Sequence, residues 1–248
     1  MDFPFAVVLF DMDGVLVDVS RSYRRAIKET VDHFTGRKLS DGDVQRYKDL
    51  GGFNDDWKLT HAVITDTGIS VPLSRVVEEF QDRYWGDDGN GFISQEPPLI
   101  EKRTLAALNK GCDVMGVVTG RPENEAEWTL NERGWKKYFP LLVPKEKQEG
   151  REKPDPYPLQ HALALLEAAG RPTSPDEAVY IGDSVDDMQA ARTADLGAVG
   201  MVPPYDAVDA DDHAAMLDEH GAHVTCRDAD ELPDVLADLS EKSAFATD

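Results

Sequence analysis

Phe5-Ala6-Val7-Val8-Leu9-Phe10 runs directly into Asp11-Met12-Asp13-Gly14-Val15-Leu16-Val17-Asp18. The first six residues form an unbroken apolar run of strand length, with β-branched members and no polar alternation. That is the pattern of a strand buried on both faces. Two carboxylates spaced i and i+2 close the run, followed by a glycine that lets the backbone turn sharply. Asp is a poor strand former and costly to bury unpaired, so this pair needs a cation or a task. Side chains two apart on a strand point to the same face, so Asp11 and Asp13 can look the same way. Carboxylates at the C-terminal tip of a central strand stand where open α/β sheets bind ligands. An acidic turn after an ordinary strand is the competing explanation of this spacing.

Beyond this junction the pattern changes twice. Residues 19–95 read as polar and helical, with helices expected over 22–34, 43–50, 57–66 and 74–85 and glycine-containing turns between them. No strongly apolar strand candidate occurs there, and Pro97-Pro98 closes the stretch. From residue 99 onward, strands expected over 114–118, 141–143, 178–181, 198–202 and 223–226 alternate with helices over 99–109, 123–133, 158–169, 186–194, 206–219 and 232–239. Such alternation indicates an α/β fold, a Rossmann-like and mostly parallel sheet with helices on both faces. The expected organisation is a core of residues 1–18 and 96–248, with residues 19–95 inserted as a small helical domain.

A chain of 248 residues with 41% hydrophobic content supports a real core. The apolar run at Phe5 lacks a basic leader and meets charged residues at once, so neither a signal peptide nor a membrane span is expected. The two cysteines, Cys112 and Cys226, lie far apart, with Cys112 placed in a candidate buried strand. A reduced, cytoplasmic protein is the simplest reading. Acidic residues outnumber basic ones 48 to 26, Asp outnumbers Glu, and the formal charge is −22. Such a surface repels nucleic acid and anionic membranes, and it repels itself where salt is too dilute to screen it. Adaptation to a high-salt cytoplasm is the expectation drawn from it.

Three more polar clusters fall in the loops around the C-terminal ends of the expected strands. Val117-Val118 leads into Thr119-Gly120-Arg121. Lys153-Pro154-Asp155-Pro156 follows the third strand, and Val179-Tyr180-Ile181 leads into Gly182-Asp183-Ser184-Val185-Asp186-Asp187. In a parallel sheet these ends share one edge, so the clusters converge on one crevice. Carboxylates gathered at one edge call for a cation, and a hard divalent ion takes oxygen ligands. On chemistry alone Asp183, Asp186 and Asp187 are all eligible ligands.

The order Asp-x-Asp-Gly, Thr-Gly-Arg, Lys-Pro-Asp-Pro and Gly-Asp-x-x-x-Asp resembles the haloacid dehalogenase-like hydrolase superfamily. A helical insertion just after the first motif resembles its members with a type-1 cap, the phosphoglycolate phosphatase and β-phosphoglucomutase group. The resemblance implies that Asp11 is a nucleophile forming an aspartyl-phosphate, and that Asp13 protonates the leaving alkoxide and then takes a proton from water. It further implies that Mg²⁺ is held by Asp11, the Asp13 carbonyl, Asp183 and Asp187. Thr119 and Lys153 then complete the catalytic set, and Gly120 lets the backbone approach the phosphoryl group. Arg121 has two readings, as a substrate ligand or as a partner of nearby acids. In capped members the insertion closes over the site and selects the substrate. Here 48–57 is the expected specificity loop, with Asn54 and Trp57 touching the leaving group and Asp55 or Asp56 attracting a cationic one. Packing of Trp57 within the insertion, with both acids capping a helix, is the plainer reading.

A Mg²⁺-dependent phosphatase acting on a small phosphomonoester, as monomer or homodimer, is the leading expectation. A phosphomutase shares every core motif. A non-catalytic phospho-acceptor or ligand-binding module is the rival from another class, but receiver domains place their acidic pair before the phosphorylated Asp.

Overall fold

Val7–Phe10 forms strand β1, and all four of its residues are buried, as a run without polar alternation requires. The other strands are β2 (Val114–Val118), β3 (Leu141–Val143), β4 (Ala178–Gly182), β5 (Gly197–Met201) and β6 (Val224–Cys226). They assemble in the order β3-β2-β1-β4-β5-β6, with every neighbouring pair parallel. In this computed structural model, which describes residues 4–49, 55–204 and 209–241, the chain divides into two compact units. One joins the residues up to Val17 with those from Pro98 onward, and the other is Asp18–Pro97.

The first unit is the α/β sheet with α5 (Lys102–Gly111), α6 (Glu123–Glu132), α7 (Tyr157–Ala168), α8 (Val185–Thr193), α9 (Ala210–Glu219) and α10 (Leu232–Glu241). Leu9, Val118, Val143, Leu159, Tyr180 and Met188 belong to one continuous buried cluster, and Phe10 meets the ring of Phe139 edge-on at 5.6 Å. The register decides where the strand ends fall. Phe10 lies opposite Val117 on one side and Ile181 on the other, and Val118 lies opposite Val143. Residues 11, 119 and 183 therefore leave the sheet along one edge. The strand order reverses between β1 and β4, which is where a doubly wound sheet opens a crevice.

The second unit holds α1 (Tyr23–Thr35), α2 (Asp41–Asp49), α3 (Asp56–Asp66) and α4 (Leu73–Tyr84), and no strand among its described residues. Its core stacks Tyr23 on Tyr84 at 4.0 Å, with Phe80, Ile27, Leu59, Val63 and Val76 buried around them. The buried Glu96 carboxylate accepts from Ser22 Oγ at 2.6 Å and Tyr84 Oη at 3.1 Å. Asp55 caps α3, accepting from the backbone N–H groups of Trp57 and Lys58, and Asp56 pairs with Lys48 at 2.9 Å. Both acids are thus engaged within their own unit, Asp55 as a cap and Asp56 as an ion-pair partner rather than a cap.

Several boundaries differ from expectation for local reasons. The helix expected from residue 99 starts at Lys102, because the Leu99 N–H is bonded to Leu16 O and Pro98 bridges Val17. Cys112 is not in a strand; it ends α5, half-buried, with Sγ donating to Leu108 O. His223, half-buried, accepts the Ala198 N–H with its Nδ1 at the start of β5. Among the described residues, no helix is long and apolar enough to cross a membrane.

Candidate active site

Asp11 continues the β1 ladder by one residue, donating its N–H to Ile181 O at 2.8 Å, and its side chain is buried. The chain then turns at Gly14, whose φ of +70° suits glycine. A second constraint acts there. A Cβ on Gly14 would lie 1.9 Å from Asp183 Oδ2, so the carboxylate that ends β4 occupies the space a side chain would fill. Carboxylate oxygens of Asp11, Asp183 and Asp187 all lie within 4.8 Å of one another.

Lys153 enters from the loop before α7 and is buried among these acids. Its Nζ lies 2.5 Å from Asp187 Oδ1, 3.3 Å from Asp11 Oδ1 and 2.7 Å from the Tyr180 hydroxyl oxygen. Burial alone would push this ammonium down, but Asp11 and Asp187 together push it up, so it stays charged. Burial raises the Asp11 carboxyl, Lys153 opposes it, and Asp187 and Asp13 add to the rise, leaving it at about 7. Beside its ion pair with Lys153, Asp11 Oδ1 has no well-formed hydrogen bond among the described residues despite its burial. A buried oxygen left in that state is costly unless a cation or donor reaches it.

Asp187 has a different environment. Its Oδ2 accepts from the N–H groups of Asp183 and Ser184 and from Ser184 Oγ, closing a reciprocal cap on α8, while Oδ1 faces Lys153. Most of its lone pairs are used by the protein, whereas Asp183 lies half-buried over Gly14. The residues fit a hard divalent cation. Three carboxylates against one ammonium leave an excess of negative charge, in an all-oxygen donor set whose buried Asp11 Oδ1 has only the Lys153 ammonium beside it.

Thr119 follows β2, donates its N–H to Val143 O, and is buried. No heavy atom lies within 4 Å of where a Gly120 Cβ would stand, so the backbone there is open to a ligand. Asp13 is half-buried and leaves the strand line to bridge Val17. Its carboxylate meets Arg121, the buried residue that sequence reasoning left between two readings. Trp57 is half-buried in the first turn of α3, and Asn54 lies outside the described residues.

Three contributors escaped the sequence reading. Tyr180 looks like a core strand residue, yet its hydroxyl accepts from Lys153 and has Val118 O at 3.0 Å and Asp187 Oδ1 at 3.3 Å as acceptors for its single proton. Gln148, fully buried, donates Nε2–H to Thr119 O at 2.7 Å and fixes the loop after β2. His213 on α9 brings its Nε2 within 2.9 Å of Asp183 O. A tyrosine within an aliphatic strand was a usable signal for the first; the other two depend on tertiary placement.

The sequence model of the family described as haloacid dehalogenase-like hydrolase matches residues 5–195. The chain belongs to the haloacid dehalogenase-like hydrolases. Among curated relatives, it is 36% identical over 210 residues to an imidazoleglycerol-phosphate dehydratase of Phytophthora nicotianae, covering 81% of this chain and 44% of that protein. The chain thus spans less than half the length of that relative. It is 31% identical over 231 residues to the N-acetylmuramic acid 6-phosphate phosphatase of Pseudomonas aeruginosa, covering 92% and 93% of the two chains. Among solved structures, a haloacid dehalogenase-family hydrolase of Deinococcus radiodurans with bound phosphate and sodium superposes with a TM-score of 0.70 at 24% identity, covering 96% and 98%. The four motifs of a haloacid dehalogenase-like hydrolase therefore lie on the family's fold.

Proposed function

We propose that this protein is a Mg²⁺-dependent phosphatase of small phosphomonoesters. The observation that carries the reading is the buried carboxylate of Asp11 at the tip of the central strand, facing Lys153 and flanked by Asp183 and Asp187. Asp11 is the nucleophile: its oxygen attacks phosphorus as the ester P–O bond breaks. Asp13 gives a proton to the leaving oxygen and later takes one from the water that hydrolyses the aspartyl-phosphate. Lys153 offsets the negative charge of the nucleophile and of the transferring group, while Thr119 and the open backbone at Gly120 receive the phosphoryl oxygens. Asp11, Asp183 and the Asp13 carbonyl would hold the cation, with Asp187 behind them anchoring Lys153 and the start of α8. Bound there, Mg²⁺ would neutralise the acids and polarise the phosphoryl group. In this reading Asp18–Pro97 is the cap that selects the leaving group.

The relatives' names suggest which esters to try. A 31% identical phosphatase acts on N-acetylmuramic acid 6-phosphate, and the dehydratase relative is named for imidazoleglycerol phosphate. The test is phosphate release from a panel of these two esters, phosphoglycolate, glucose phosphates and p-nitrophenyl phosphate, with Mg²⁺ or EDTA, for wild type and Asp11→Asn. Release that needs Mg²⁺ and falls by at least about 10³-fold in Asp11→Asn is expected. A folded protein that binds Mg²⁺ yet releases no phosphate from any ester would overturn the reading. Isomerisation of a glucose phosphate without release would make it a mutase.

A further inference from the structure

We propose that Arg121 serves the reaction by orienting Asp13, as a positioning residue that makes no contact with substrate. The inference rests on the reading of Asp13 as the group that protonates the leaving oxygen. The Arg121 side chain is 0% exposed, whereas that of Asp13 is 31% exposed. Of this pair only the carboxylate faces solvent, so only the carboxylate can meet a reactant. Arg121 Nε lies 2.6 Å from Asp13 Oδ1, and its Nη1 donates to Thr129 Oγ1 on α6 at 3.1 Å. The backbone of Arg121 is held as well, its N–H 3.2 Å from Thr119 Oγ1 and its carbonyl accepting from Lys145 N at 2.9 Å.

A guanidinium is a planar fork whose donors have fixed directions, so bonds to two elements determine the plane in which Asp13 is held. With Oδ1 tied to Nε–H, the proton that passes to the leaving oxygen is carried on Oδ2. In that step the proton leaves Oδ2 for the ester oxygen as the ester P–O bond breaks and the bond from phosphorus to Asp11 forms. A lysine could keep the charge but not the fork.

Leaving-group dependence separates this role from substrate binding and from general structural support. An alkoxide leaves with help from a proton donor, whereas p-nitrophenolate leaves without it, and kcat/KM reports only the steps through phosphoryl transfer. For Arg121→Gln and Arg121→Lys, kcat/KM is expected to fall by about 10²-fold on the best alkyl phosphate and by less than about fivefold on p-nitrophenyl phosphate. The inhibition constant of inorganic phosphate should stay within about threefold, because no phosphate contact is removed. Asp13→Asn should show the same selectivity, and adding Arg121→Gln to it should cost little more. Thr129→Val, which removes one anchor of the fork, keeps the test available if the Arg121 variants fold poorly, with the same selectivity in weaker form. Equal losses on both esters, or a phosphate inhibition constant that rises with them, would overturn the inference while leaving the phosphatase intact. A wild-type protein inactive on every ester would overturn both.

Discussion

Tyr180 ties together the charged groups of the site, although its neighbours in β4 are apolar. Its hydroxyl sits between the Lys153 ammonium and the Val118 carbonyl, with Asp187 in reach. Burial, then Asp11 and Asp187, push its phenol well above the ordinary value, so it remains a neutral donor throughout the working pH range. Tyr180→Phe keeps the ring and removes that hydroxyl, leaving a buried ammonium and a buried carbonyl each short of one partner. A loss of about 1–3 kcal/mol in urea unfolding is expected, with a decrease in kcat on the order of tenfold as Lys153 relaxes. An unchanged kcat would remove Tyr180 from the machinery. Asp11 carries a pH signature of its own. Its carboxyl rises from 3.8 to about 7 on folding, so its proton stabilises the fold fully below pH 3.8, and that contribution is lost as pH climbs through about 7. A divalent cation competes with the same proton, so the rise in Tm on adding Mg²⁺ should be larger at pH 8 than at pH 6. Thermal scans at the two pH values measure it, and equal rises would count against Asp11 as a ligand.

The strand-to-helix turns are the elements on which the site depends. Gly14 was legible as a turn glycine, but its close approach to Asp183 was not, because that contact joins the loops that follow two different strands. Gly14→Ala would add a left-handed strain of about 1–2 kcal/mol and displace the Asp183 carboxylate. It is therefore expected to lower Tm and to abolish the Mg²⁺-dependent rise, whereas Gly120→Ala, with open space at its Cβ, should leave stability within about 0.5 kcal/mol. Differential scanning calorimetry with and without Mg²⁺ decides between them. Helix caps were legible only in part. The Ser184–Asp187 cap on α8 uses the same carboxylate that the sequence pattern marks as a metal ligand, and nothing in the spacing tells which use dominates. In the structure the hydrogen bonds from Ser184, Asp183 and Lys153 occupy most of the lone pairs of Asp187, which supports its capping use.

At the scale of the whole molecule, the charge of −22 is the property most open to test. Many acids have local partners, such as Asp43 with Arg46 and Glu127 with Lys136, but 48 acidic residues cannot all be matched by 26 basic ones. Screening should relieve the remaining repulsion. If molar KCl recovers about 2 kcal/mol, Tm should rise by roughly 4–8 °C for a chain of this size. A Tm that is flat or falls from low to molar KCl would argue against salt adaptation. By itself the sequence determined the α/β class, the central place of β1 and the four motifs at one sheet edge. Those follow from hydrophobic periodicity and from the rule that parallel strands end together. Only the tertiary structure decided how the charges at that edge are shared: Arg121 to Asp13, and Lys153 to Asp187, Asp11 and Tyr180. The physical reason is that a motif states which side chains arrive at a strand end. Which oxygen each donor reaches depends instead on burial and on neighbours from distant parts of the chain.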